Sequence, residues 1–204
     1  MLAILGAMDE EVALLRAEMK AVQETVHAGI TVMRGDFNGT RIALAQCGIG
    51  KVNATICTQM LVDIYQPSGV IFSGVAGGLL PQLQIGDIIF ANHLIQFHID
   101  LTAFDRRHGE LPDCDRMMQS DATMVRQIAD CFDSVFEGET DAPNLMIGTV
   151  VSGDNFIEDT ETLRWFQREF GALATEMEGA AVGYTCQLND APFIIIRGLS
   201  DTAN

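Results

Sequence analysis

The segment Phe193-Ile194-Ile195-Ile196-Arg197-Gly198-Leu199-Ser200-Asp201 decides how the rest of the chain is read. Its run of bulky, mostly β-branched residues predicts a buried strand over 193–198. Where such strands end at the rim of a sheet, the residues that follow are placed for chemistry. Asp201 comes directly after this one. Two further acidic clusters adjoin apolar segments: Glu176-Met177-Glu178 before Gly179-Ala180-Ala181, and Asp9-Glu10-Glu11 after the apolar start Leu2-Ala3-Ile4-Leu5-Gly6. Three carboxylates at the edges of core elements can be collected by one cleft.

Outward from that strand, apolar runs alternate with segments of mixed three- and four-residue spacing. Residues 2–7 read as a strand, and Val12, Leu14, Leu15 and Met19 as the following helix. Asn38-Gly39 predicts a hairpin turn between strands over 31–37 and 41–45, because both residues tolerate positive φ. Gly48-Ile49-Gly50 leads into a helix through Tyr65, which Pro67-Ser68-Gly69 ends. Val70-Ile71-Phe72 reads as a strand, Gly74-Val75-Ala76-Gly77-Gly78 as a glycine-rich bend, and residues 85–91 as another strand. Polar residues from Thr102 to Ser120, among them Arg106, Arg107, Pro112 and Asp113, predict a long irregular loop. A helix over 121–132, a strand over 145–151 ending in Ser152-Gly153-Asp154, and helices over 161–170 and 177–188 complete the chain. Strands alternating with helices predict an α/β fold, with helices flanking a mixed sheet in a single domain over residues 1–204.

Composition narrows the function. The 204 residues carry 12 Lys plus Arg against 28 Asp plus Glu, a formal charge of -16, so a nucleic-acid partner would be repelled. No apolar run reaches the roughly 18 residues of a membrane span, and the apolar N-terminus lacks a basic flank and runs into acids, unlike a secretory signal. The expected address is cytoplasmic. Five scattered cysteines (Cys47, Cys57, Cys114, Cys131, Cys186) form no Cys-x-x-Cys pair, which fits reduced, buried thiols rather than a zinc site.

Taken singly, each motif has a plain structural explanation. Asp9 and Glu10 suit a helix start, where the macrodipole favours acids by about 0.3–1 kcal/mol; Glu176 and Glu178 suit another, and Asp201 or Ser200 a cap. The glycines at 74–78 serve equally as a tight turn or as a backbone able to approach a ligand, and they match no phosphate-loop pattern. His98 and Asp100 are spaced for one strand face, but no third metal ligand accompanies them.

In combination the motifs are more specific. Gly6-Ala7-Met8-Asp9-Glu10-Glu11-Val12, Cys47-Gly48-Ile49-Gly50-Lys51-Val52, Ser73-Gly74-Val75-Ala76-Gly77-Gly78, Val151-Ser152-Gly153-Asp154-Asn155-Phe156-Ile157, Glu176-Met177-Glu178-Gly179-Ala180 and Arg197-Gly198-Leu199-Ser200-Asp201 occur in this order. With them the chain resembles the bacterial 5'-methylthioadenosine/S-adenosylhomocysteine nucleosidases, from Met1 to Asp201. The resemblance implies a purine nucleoside phosphorylase-like fold: a three-layer sandwich with a central twisted mixed β-sheet flanked by helices. It also implies a homodimer, no metal or organic cofactor, a small adenine nucleoside as substrate, and a C-terminal helix beyond Asp201 that residues 1–204 lack.

The implied reaction is hydrolysis of an N-glycosidic bond, in methionine salvage and the recycling of S-adenosylmethionine by-products. Positive charge develops on the ribosyl group while adenine leaves, so a proton donor to the base and an activated water are needed. By resemblance Asp201 protonates adenine N7, which requires it to hold a proton, and Glu11 orients and deprotonates the water. Glu178 accepts from ribose hydroxyls, Met177 lies against the sugar, Phe156 stacks on adenine and Ile157 reads the base edge through its backbone. Ile49, Leu101 and Phe104 line the 5'-alkylthio pocket, the last two matching segments that can come from the neighbouring subunit. Val75, Ala76, Gly77 and Glu176 complete the substrate site, and Arg197 and Ser200 hold Asp201. Val75 stands where many members carry Ser. Two rival readings remain: a purine nucleoside phosphorylase, disfavoured because Phe72-Ser73-Gly74 lacks the arginine that those enzymes place before the glycine-rich bend, and a non-catalytic nucleoside-binding protein.

Overall fold

β1 (Leu2–Gly6) runs parallel to a neighbour on each side, β4 (Thr40–Gln46) and β5 (Gly69–Gly78), and its alternate side chains enter two different cores. Ala3 and Leu5 pack with residues of α2 (Lys51–Tyr65) and α5 (Gly179–Leu188), among them Ala54, Cys57, Leu61, Ala180 and Val182. Ile4 faces the other way, onto Val12 and Leu15 of α1 (Asp9–Glu18). Helices on both faces of the sheet make the three layers that the strand–helix alternation predicts. The computed structural model describes residues 1–112 and 114–202; Asp113, assigned above to the long loop, and Ala203 and Asn204 lie outside the described residues.

The sheet is mixed. β2 (Lys20–His27), β3 (Ile30–Phe37) and β4 form an antiparallel meander at one end, turned at Asn38-Gly39, where both φ angles are positive (48° and 83°). At the other end the sheet closes on itself. β5 pairs with β10 (Phe193–Thr202), β10 with β6 (Ile88–Gln96), β6 with β8 (Leu145–Ser152), β8 with β9 (Ala172–Glu176), and β9 returns to β5. α3 (Ala122–Val135) packs on β6 and β10, and α4 (Thr160–Phe170) covers β8 and β9 through Leu163, Phe166 and Phe170.

Several elements differ from their sequence reading. The glycine-rich stretch is the second half of a ten-residue strand, β5, rather than a bend. Pairing with β10 holds these glycines extended, and β9 pairs with Gly77 and Gly78 from the other side. β6 starts at Ile88, not Ile85, because the buried Asp87 carboxylate ends the preceding turn by accepting from Gln84 N–H and from Asn144 N–H and Nδ2. Within the long loop, Thr102–Phe104 form a 3-10 turn and a short strand, β7 (Met118–Gln119), pairs with β6. β2 is an exposed edge strand whose sequence shows no buried face, and β9 is written in small residues. β10 continues through Asp201, so that residue is no helix cap.

Candidate functional site

A cavity of about 220 Å³ opens where the ends of β1, β5, β9 and β10 meet the loops after β4 and β8. Glu11, Glu178 and Asp201 all line it, with Glu176 at its base. Among the described residues that line it there is no lysine, arginine or histidine.

Glu11 occupies the third position of α1 and reaches back over the helix start, as acids at that position do. Its Oε2 accepts from Ala7 N–H (2.6 Å) and Met8 N–H (3.0 Å), while Oε1 accepts from Val75 N–H on β5 (2.9 Å). One carboxylate therefore both caps the helix and is fixed at the cleft by three backbone donors. β5 lets it come this close only because residue 74 is glycine. A Cβ there would lie 2.5 Å from Glu11 Oε1 and 2.6 Å from Arg197 Nη1. Gly77 does the same for the second carboxylate, since a Cβ would lie 2.8 Å from Asp201 Oδ1. The glycines thus serve neither a turn nor a phosphate cradle; they clear the strand surface for two acids.

Asp201 owes its direction to a bulge. In register with β5, Leu199 pairs with Ala76 and Asp201 with Gly77, leaving Ser200 as the extra residue. Such bulges re-aim side chains next to active sites. Ser200 Oγ donates to Asp201 Oδ2 at 2.9 Å. Arg197 does not: its guanidinium is 1 % exposed, pairs with Glu176 and stacks 4.2 Å from the Phe72 ring centroid. The expectation that Arg197 holds Asp201 is corrected accordingly: the extra residue at Ser200 breaks the alternation that would set positions 197 and 201 on one face, and Arg197 lies beneath the cleft floor with Glu176.

Glu176 ends β9 and is the hub below that floor. It accepts from Arg197, from the Ser152 hydroxyl and from the backbone N–H groups of Glu178 (3.2 Å) and Gly179 (2.7 Å), and Ser152 Oγ in turn accepts from Ala180 N–H at 2.7 Å. Both oxygens of Glu176 accept from the protein, and these bonds stiffen the Met177-Glu178 segment that walls the cleft. Glu178, just before α5, has its Oε1 held by Gly50 N–H at 2.6 Å. Burial, and next the neighbouring Glu176, push its carboxyl up to about 7.

The remaining walls come from loops. Phe156, 71 % exposed, and Ile157 stand at the mouth between β8 and α4, and Ile49 faces them from the turn before α2. Ala76, Met177, Ala7, Met8, Asn155 and Thr175 also line the cleft. The last four were not singled out from sequence, although Ala7, Met8 and Asn155 lie inside quoted motifs. Leu101 and Phe104 are not brought to the cleft of their own chain, and Phe104 is 75 % exposed. His98 meets the backbone of Asp154 and Asp100 caps Thr102; among the described residues no three His, Cys, Asp or Glu side chains converge as a metal site. No helix of the described residues is long and apolar enough to cross a membrane.

Residues 1–204 match the phosphorylase superfamily. The 5'-methylthioadenosine/S-adenosylhomocysteine nucleosidase of Geobacillus kaustophilus (strain HTA426) is 37% identical over 202 residues, 98% of this chain and 84% of that protein. The crystal structure of the nucleosidase of that name from Neisseria meningitidis, in complex with methylthio-immucillin-A, superposes with a TM-score of 0.92 at 34% identity, covering 99% of this chain and 86% of that one. The futalosine hydrolase of Helicobacter pylori strain 26695 superposes with a TM-score of 0.91 at 32% identity, over 100% of this chain and 85% of that one.

Proposed function

The chain belongs to the phosphorylase superfamily, and from that premise we propose that it is a 5'-methylthioadenosine/S-adenosylhomocysteine nucleosidase. It hydrolyses the N-glycosidic bond and releases adenine and a 5-thio-substituted ribose. The observation that carries this reading is the acidic character of the cleft: four carboxyl side chains, those of Glu11, Glu176, Glu178 and Asp201, and no cationic side chain among the described lining residues. Such a site stabilises a positively charged ribosyl group and opposes a phosphate nucleophile. Arg197, the arginine nearest the floor, is already paired with Glu176.

In this mechanism the ribosyl–adenine bond lengthens while Asp201 delivers a proton to adenine N7, and Ser200 keeps its carboxyl aimed. Glu11, fixed by three N–H donors, orients a water on the ribose face opposite the departing base and takes its proton as the C1'–O bond forms. Glu178 accepts from the ribose hydroxyls and Met177 packs on the sugar. Phe156 stacks on the base, which Ile157 reads through its backbone. Val75, whose N–H holds Glu11, presents an apolar surface beside the water.

The exposed Ile49, Val52 and Ile56 at the start of α2, together with the exposed Phe104, support a homodimer in which Leu101 and Phe104 of a second copy complete the 5'-alkylthio pocket. The enzyme acts in the cytoplasm, in methionine salvage and the removal of S-adenosylmethionine by-products, as one nucleosidase domain over residues 1–204. Adenine release from methylthioadenosine, assayed with and without phosphate, tests the reading: equal rates are expected, and a strict phosphate requirement or binding without turnover overturns it.

A further inference from the structure

The end of β8 supplies a residue that the proposed reaction leaves unused. Asp154 does not line the cleft, yet its carboxylate joins two of the cleft's walls. Its Oδ1 accepts from Lys51 N–H at 2.8 Å, and its Oδ2 lies 3.6 Å from Lys51 Nζ. The preceding N–H, that of Gly50, donates to Glu178 at 2.6 Å. The first N–H groups of a helix have no partner within it. At α2 these two successive donors are taken by carboxylates from two distant segments, one carrying Glu178 and the other continuing into Asn155, Phe156 and Ile157. The root of the second segment is seated too: Asp154 N–H donates to His98 Nδ1 at 3.3 Å, and a Cβ on Gly153 would lie 2.2 Å from that ring atom. Beyond Asp154 the segment is next held where Ile157 packs on the core beneath α4 and Asp159 caps that helix, and Phe156 between these points is exposed.

We propose that Asp154 is a positioning residue for the base: it ties the segment bearing Phe156 and Ile157 to the helix terminus that also holds Glu178, so the adenine-facing and ribose-facing walls keep a fixed separation. The proposal rests on the nucleosidase reading for its substrate but not for its geometry. Without the tie, the Phe156 segment must be ordered when the base binds, and that cost falls on binding rather than on proton transfer.

The test compares wild type, Asp154→Ala and Asp154→Asn in steady-state hydrolysis of methylthioadenosine, with adenine binding measured by calorimetry. Asp154→Ala is expected to raise KM and weaken adenine binding by about tenfold, the scale of one hydrogen bond to a charged group, with kcat within about threefold. Asp154→Asn keeps an acceptor for Lys51 N–H and should recover most of the loss. In a Phe156→Ala background, Asp154→Ala should add less than about twofold, since the ring it places is gone. An unchanged KM and adenine affinity, a loss confined to kcat, or full additivity with Phe156→Ala overturns the proposal. If wild type binds adenine but turns nothing over, the nucleosidase reading fails alone, and the effect of Asp154→Ala on adenine binding still decides the tie.

Discussion

Replacing Gly74 by alanine should silence the cleft without replacing any group assigned to the reaction. The added Cβ would lie 2.5 Å from Glu11 Oε1 and 2.6 Å from Arg197 Nη1, whereas real Cβ atoms essentially never come within 3.0 Å of such neighbours. Neither neighbour is free to yield. Glu11 is held by three backbone donors, and Arg197 is sealed between Glu176 and Phe72. The carboxylate must therefore recede by about half an ångström or more, on the scale at which a 1 Å misplacement costs roughly 10²-fold in rate. Overpacking adds about 1–3 kcal/mol of destabilisation. Gly198 is the matched control, because it pairs with Val75 on the adjoining strand and a Cβ there meets nothing within 4 Å. Adenine release and thermal unfolding of both variants make the comparison. We expect Gly74→Ala to lose about 30- to 300-fold in kcat/KM and Gly198→Ala to stay within about threefold of wild type. Equal activity in the two would refute the claim that β5 is glycine-rich in order to admit Glu11.

Asp201→Asn and Glu11→Gln should each lower kcat by about 10²- to 10⁴-fold with the fold intact by circular dichroism, and near-normal turnover in either counts against its proton-transfer role. The Glu178 carboxyl sits at about 7 against an ordinary 4.5, so the folded state holds that proton more tightly than the unfolded chain. This contribution to stability is complete below about 4.5 and is lost as pH rises through 7. The Tm of ligand-free wild type minus that of Glu178→Gln should accordingly fall across this window; a flat difference contradicts the assignment. Ser152→Ala leaves Ala180 N–H and one Glu176 acceptor unpaired in a fully buried site, and should cost about 1–3 kcal/mol in urea unfolding. A loss under about 0.5 kcal/mol would show that the hub below the floor is dispensable.

The carboxylates were legible because each borders an apolar element: Glu11 after β1, Glu178 just before α5 and Asp201 near the end of β10. Their convergence was legible only through the resemblance, since no spacing within one chain states that β5 and β10 run side by side. The glycines of β5 misled, because glycine signals a turn unless the neighbour that needs its missing side chain is known. β9 was invisible for a related reason: Ala172 and Ala174 are buried, yet alanine carries no strand preference. Arg197 follows the same pattern. Its position four residues before Asp201 suggested a partner, since simple alternation puts the two on one face, but the extra residue at Ser200 breaks that alternation and Arg197 meets Glu176 instead. Asp154 lay in a quoted motif, and nothing in sequence linked it to Lys51, 103 residues earlier.

The most direct measurement is the fate of solvent oxygen. With the protein in H2-18O buffer containing phosphate, and methylthioadenosine as substrate, mass spectrometry of the products follows one new bond. The account predicts one 18O atom in the methylthioribose, none in the adenine, and no sugar phosphate, with turnover in Asp201→Asn lowered by about 10²- to 10⁴-fold. A ribose 1-phosphate product free of 18O would contradict it.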